Sequence, residues 1–222
     1  MEWRRRFGSR DEVGLTWWTA VAFMVGSTLF AFGSFPLYAQ RVSSAAVGST
    51  FFAGSVFFTA AGLMQLIDTV RVGSDAEPPG MRFVGRGPLW WAAGVQFVGT
   101  LLFNVSTFEA MQDGLSVAQT NRLVWAPDMF GSIAFLVAGW FGWVAVCGTS
   151  WQVRRDQTDW WMAALNGLGA IVFMISGIAS LTLPDTGAVV SLTLVNLGTF
   201  AGAVCFFVAS YLMLPPAEPR PS

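Results

Sequence analysis

The chain has 222 residues, of which 54% are hydrophobic and 11% charged, with a net charge of −1. A soluble domain carries about 25% charged residues, so the composition points to a membrane, and nothing in the charge balance calls for a nucleic acid partner. The absence of histidine excludes His-ligated haem or zinc and a histidine base. All twelve cationic residues are arginine, which also excludes a lysine Schiff base or nucleophile.

Six apolar runs of about 20 residues, each long enough to cross roughly 30 Å of hydrocarbon, predict transmembrane helices at 15–37, 47–69, 89–110, 127–149, 159–181 and 189–214. The fold expected is therefore all-α and polytopic, a single membrane domain over 1–222 with tails at 1–14 and 215–222. The first run follows Arg4, Arg5, Arg6 and Arg10 but is too long for a signal-peptide core. No small-residue cleavage site follows Pro36 and Tyr38, so it is expected to stay. The second run ends near Gln65 and Asp68, where Asp68 reads as an interface anchor or an ion pair with Arg71. A stretch at 71–88 with Gly73, Pro78, Pro79, Gly80, Gly85, Gly87 and Pro88 reads as irregular.

The third run carries Gln96, Thr100, Asn104 and Thr107 at spacings of four, four and three, one polar stripe on a helix face. Hydrogen bonding to neighbouring helices is the plain reading; one wall of a solute path, shared with Asn166 of the fifth run, is the sharper one. The long connection at 108–127 holds Glu109 and Arg122. Ser116 and Gln119 have capping-box spacing, predicting a short surface helix over 116–125 with Leu123 and Trp125 dipping into the interface. Asp128 follows Pro127 and is expected to satisfy the start of the fourth helix. Alternatively Glu109, Arg122 and Asp128 form an outer mouth above the stripe. Cys147 and Cys205 sit inside apolar runs and read as small core residues rather than a disulfide.

Arginine alternates between sides, ten on the side of the termini and two, Arg41 and Arg122, on the other. The positive-inside rule then places both termini in the cytoplasm of a multi-pass cell-membrane protein. Trp17–Trp18, Trp90–Trp91 and Trp160–Trp161 open the three outward helices at the inner interface.

Internal similarity is the most specific signal. Nine residues after the first tryptophan of each pair comes a glycine, then a phenylalanine four later, then a small pair: Gly26, Phe30, Gly33, Ser34; Gly99, Phe103, Ser106, Thr107; Gly169, Phe173, Ser176, Gly177. The same spacing recurs on the returning helices as Gly54, Phe58, Ala61, Gly62; Gly131, Phe135, Ala138, Gly139; Gly202, Phe206, Ala209, Ser210. All these positions fall on one helix face, so small residues would let backbones approach while phenylalanine fills the gap. Three hairpin repeats are expected at about 15–70, 88–150 and 158–214, in the same membrane orientation and in a pseudo-threefold bundle. The Gly-Ser-x-x-Phe-x-x-Gly-Ser pattern on paired helices resembles the YrhK-like domain, a small two-helix bacterial membrane module, here in three tandem copies. The resemblance implies a bacterial membrane protein and carries no catalytic residues. With no nucleophile–base pair and no metal-ligand set, the function expected is a non-enzymatic scaffold or accessory module without cofactor, touching lipid and assembling with itself or another membrane protein. The alternative is a transporter or channel along the third helix.

Overall fold

The computed structural model describes residues 10–76 and 87–214, with side chains from 14–70 and 87–214. The arginines at 4, 5, 6, 82, 86 and 220, and the side chains of Arg10 and Arg71, lie outside that set. Eight α-helices follow in order: α1 Arg10–Ser34, α2 Pro36–Ala39, α3 Ser44–Ala76, α4 Pro88–Glu109, α5 Val117–Thr120, α6 Ala126–Cys147, α7 Thr158–Ala179 and α8 Leu192–Leu212, with a π turn at Asn121–Trp125 between α5 and α6. Six helical stretches are long and apolar enough to cross a membrane. The described residues contain no β-sheet, only an isolated bridge between Thr182 and Val189. The protein is an all-α polytopic membrane protein.

Local chemistry sets the ends. Phe35 precedes a proline and adopts extended backbone, which separates α1 from the short α2. Pro88 opens α4 at a position where its missing N–H costs nothing. Ser191 caps α8 by accepting from the Leu194 amide. Gly148 ends α6 with a φ of 65°. Two boundaries differ from the sequence reading. α3 continues to Ala76, into the stretch read as irregular, because the glycines and prolines that resist helix concentrate after it; residues 77–86 lie outside the described set. The segment 116–125 is not a separate surface helix. It runs on into α6 as one 31-residue span, Val117–Cys147, roughly 46 Å long at 1.5 Å per residue.

The long helices form a closed ring in the order α1, α3, α4, α6, α7, α8, with α8 packing back on α1. Each consecutive antiparallel pair α1/α3, α4/α6 and α7/α8 is joined by the same reciprocal contact. A Cβ at Gly26 would stand 2.8 Å from the Phe58 ring, and one at Gly54 would stand 2.7 Å from the Phe30 ring. Gly99 faces Phe135 while Gly131 faces Phe103, and Gly169 faces Phe206 while Gly202 faces Phe173. Each phenylalanine thus lies in the notch of the partner's glycine, and the two backbones meet close enough that the Gly54 carbonyl is 3.0 Å from the Gly26 Cβ position. The residue after each motif glycine is almost completely buried: Ser27, Ser55, Thr100 and Ser132 at 0%, Ala170 and Ala203 at 1%.

The six phenylalanines meet on the axis. Phe58, Phe135 and Phe206 form a triangle with centroid separations of 6.4, 6.1 and 5.7 Å. Phe173 touches Phe30 and Phe103 at 5.9 and 5.4 Å, in a second layer. Edge-on contacts within the α1/α3 and α4/α6 hairpins, at 5.5 and 5.2 Å, and a tilted one within α7/α8 at 6.2 Å join the layers. Outside, large apolar side chains such as Phe57, Leu101, Phe130, Ile171 and Leu197 are exposed, the inverse of a soluble bundle.

Replacing Gly54 by valine drives a side chain into the Phe30 ring and the Gly26 carbonyl, and overpacking of this kind costs about 1–3 kcal/mol. Gly142, with nothing within 4 Å of its Cβ position, serves as the comparison. Thermal unfolding in detergent should show a clear loss of Tm for Gly54→Val and none for Gly142→Ala.

Candidate functional site

The polar stripe of α4 faces α3, not a cavity. Thr100 is fully buried and donates to the Phe97 carbonyl of its own helix. Thr107 donates to the Phe103 carbonyl and exchanges a 3.0 Å hydrogen bond with Ser55. The Asn104 amide donates to Thr59 Oγ1 at 2.8 Å, while its buried oxygen has no partner. Gln96 is half-buried, and Asn166 is exposed on the outside of α7. The shared wall of Gln96, Asn104 and Asn166 is therefore not formed. The axis beside the stripe is closed: the space between the six phenylalanines, Ser55 and Ala203 holds a void of about 10 Å³, an apolar space on the edge of what a single water needs.

Glu109, Arg122 and Asp128 do not form the outer mouth. No ion pair or hydrogen bond joins them; Arg122 is exposed, Glu109 sits half-buried at the end of α4, and Asp128 turns elsewhere. Nor does Asp128 cap a helix. The chain is already helical through Trp125 and Ala126 when it reaches Pro127. Pro127 lacks the amide that would serve the Leu123 carbonyl, and the ladder widens instead of stopping: Ala126 N–H donates to the Asn121 carbonyl, five residues back.

The widened turn brings a second polar stripe into register, which the sequence reading did not assemble. Asn121, Trp125, Asp128 and Ser132 follow at spacings of four, three and four, on the face turned to α7. Asn121 is bonded in both directions to Thr182, donating to its carbonyl at 2.8 Å and accepting from its amide at 3.0 Å. Trp125 Nε1 donates to the Gly177 carbonyl at 2.9 Å. Asp128 Oδ2 and Ser132 Oγ each lie 3.2 Å from the place a Cβ on Gly177 would occupy. The 4–3–4 spacing was visible in the chain; reading Pro127 as a helix start divided it.

Comparing the three seams between hairpins locates the anomaly. On the α3/α4 seam, Ser55 follows its motif glycine and bonds Thr107, which lies eight residues after its own. The matching pair on the α6/α7 seam is Ser132 and Gly177, and glycine has no hydroxyl to offer. Ser132 Oγ is buried without a hydrogen-bond partner, and the Asp128 carboxylate reaches into the space left. On the α8/α1 seam the matching residue is Ala203, and a groove of about 150 Å³ opens there beside Ala31 and Phe207. Ser27 Oγ on that seam is also buried without a partner.

At the opposite end of the bundle, indoles tie down the α6–α7 connection. Trp160 Nε1 donates to the Gln152 carbonyl and Trp161 Nε1 to the Arg155 carbonyl, at 2.9 and 3.0 Å. The Trp17–Trp18, Trp90–Trp91 and Trp160–Trp161 pairs share one edge-on geometry. No group of three acidic or cysteine side chains among the described residues is placed to hold a metal ion. No family model, curated protein or solved structure matches this chain.

Asn121→Ala removes both bonds to Thr182. Hydrogen exchange should show faster exchange at the Thr182 amide with α7 and α8 unchanged; unaltered protection there would deny Asn121 its anchoring role.

Proposed function

We propose that this protein is a non-enzymatic scaffold or accessory module of a bacterial cell membrane, with three tandem two-helix modules of the YrhK-like kind and both termini in the cytoplasm. The observation that carries this reading is the closed axis. Six phenylalanine rings from six different helices fill the place where a central path would run, and the remaining void of about 10 Å³ is apolar. The recurring glycine and phenylalanine positions support the division into modules, and the ten-to-two arginine asymmetry supports the orientation. A solute path along α4 would need Gln96, Asn104 and Asn166 on a common wetted wall, whereas Thr59 holds Asn104 and Asn166 is exposed outside the bundle. The lipid-exposed apolar faces of the long helices supply contact area for a second copy or another membrane protein without any site chemistry.

Proteoliposomes loaded with potassium or a small fluorescent dye should release either at the rate of protein-free vesicles. A protein-dependent flux that Phe135→Ala accelerates would replace this reading with a gated path. Orientation is read separately by introduced cysteines. A cysteine at Ser116 should react with an impermeant maleimide in intact cells, and one at Ser150 only after the membrane is permeabilised; the reverse pattern would invert the topology.

A further inference from the structure

We propose that the Gly177 notch on the α6/α7 seam is a binding site for a small monovalent cation, held by the Asp128 carboxylate and the Ser132 hydroxyl. Both oxygens lie 3.2 Å from one point, the Cβ position of Gly177, yet no hydrogen bond joins them. They converge on the Cα of Gly177 from two turns of α6, with Met129 Sδ 3.8 Å from the same Cβ position. Ser132 is completely buried and its hydroxyl has no hydrogen-bond partner among the described residues. An unpaired buried polar group is costly, and an ionised carboxylate taken from water far more so.

The neighbouring elements offer no compensating charge. The π turn holds Arg122, which is exposed and makes no ion pair among the described residues; α4 contributes only Glu109, of the same sign; α7 carries Asp159 at its far end; and the chain has no lysine or histidine. A cation between the two oxygens would satisfy both at once. One formal negative charge with hard oxygen ligands matches a monovalent ion, whereas calcium sites gather six to eight oxygens from several carboxylates. Gly177 is what makes the space: a side chain there, as Thr107 provides on the α3/α4 seam, would fill the notch and bond the serine directly. The Trp125 indole, bonded to the Gly177 carbonyl, closes the notch one turn above. Occupancy would tie α6 to α7 where the other hairpin seams use a hydroxyl pair or nothing.

The test uses the full chain purified in detergent, with unfolding followed by tryptophan emission in sodium, potassium or choline chloride at equal ionic strength. A saturable rise in Tm with sodium or potassium over choline is expected. Asp128→Asn should abolish the rise, and Ser132→Ala should raise the half-saturating concentration about tenfold, the effect of one lost ligand at 1.4 kcal/mol per decade. Gly177→Ala should also abolish it by occupying the notch, while still unfolding cooperatively in choline; this variant decides the matter if Asp128→Asn does not fold. Equal Tm values in all three salts would overturn the proposal and leave a trapped water as the bridge. A rise that persists unchanged in both Asp128→Asn and Gly177→Ala would overturn it too, as a general salt effect.

Discussion

Apolar helices in lipid gain nothing by hiding from the solvent, so their association depends on contact that lipid tails cannot equal. Here that contact is a ring laid over a glycine, made twice in each hairpin with the roles exchanged. Because Gly26 faces Phe58 and Gly54 faces Phe30, neither helix can slide along the other without lifting both rings. The helices are close enough for the small residues after each glycine to be sealed from everything outside. The phenylalanines, pinned by their notches, point to the axis and fill it. Backbone approach, hairpin register and the closed centre are three results of one spacing.

That spacing repeats on six helices, and where the pattern is kept the molecule is uniform. Variety enters at the seams between hairpins. The α3/α4 seam is stitched by Ser55 with Thr107 and by Thr59 with Asn104. The α6/α7 seam exchanges the second hydroxyl for a glycine and brings in a carboxylate. The α8/α1 seam has alanines and a groove. These differences are small in residue count but large in chemistry, since each polar atom in such a setting has few ways to be satisfied.

Much of this was legible in the chain. The six spans and the burial of Gly26, Phe30 and their counterparts follow from run length and spacing alone, because period and hydropathy are local properties. The Ser116–Gln119 capping box was equally legible and is formed. The site was less so. The stripe on α4 could be seen, but its direction depends on which helix lies beside it, a tertiary fact. Asp128 was misplaced for a different reason: proline ends most helices, and only the neighbours, Thr182 bonded to Asn121 and the Gly177 carbonyl bonded to Trp125, show how this one is held as a wide turn. Gly177 carried no signal of its own; its meaning comes from the side chain it lacks at a position where Thr107 has one.

The ring is closed in space but open along the chain. Two of its three seams, α3/α4 and α6/α7, join helices that are consecutive in sequence, so separation there is limited by a covalent leash. The third, α8/α1, joins the last helix to the first, and nothing but side-chain contact holds it. It is also the seam with the groove and the unpartnered Ser27 hydroxyl. The circle therefore has a nick, like a split washer: this is the one seam whose parting would stretch no connecting segment and disturb no hairpin's internal grip.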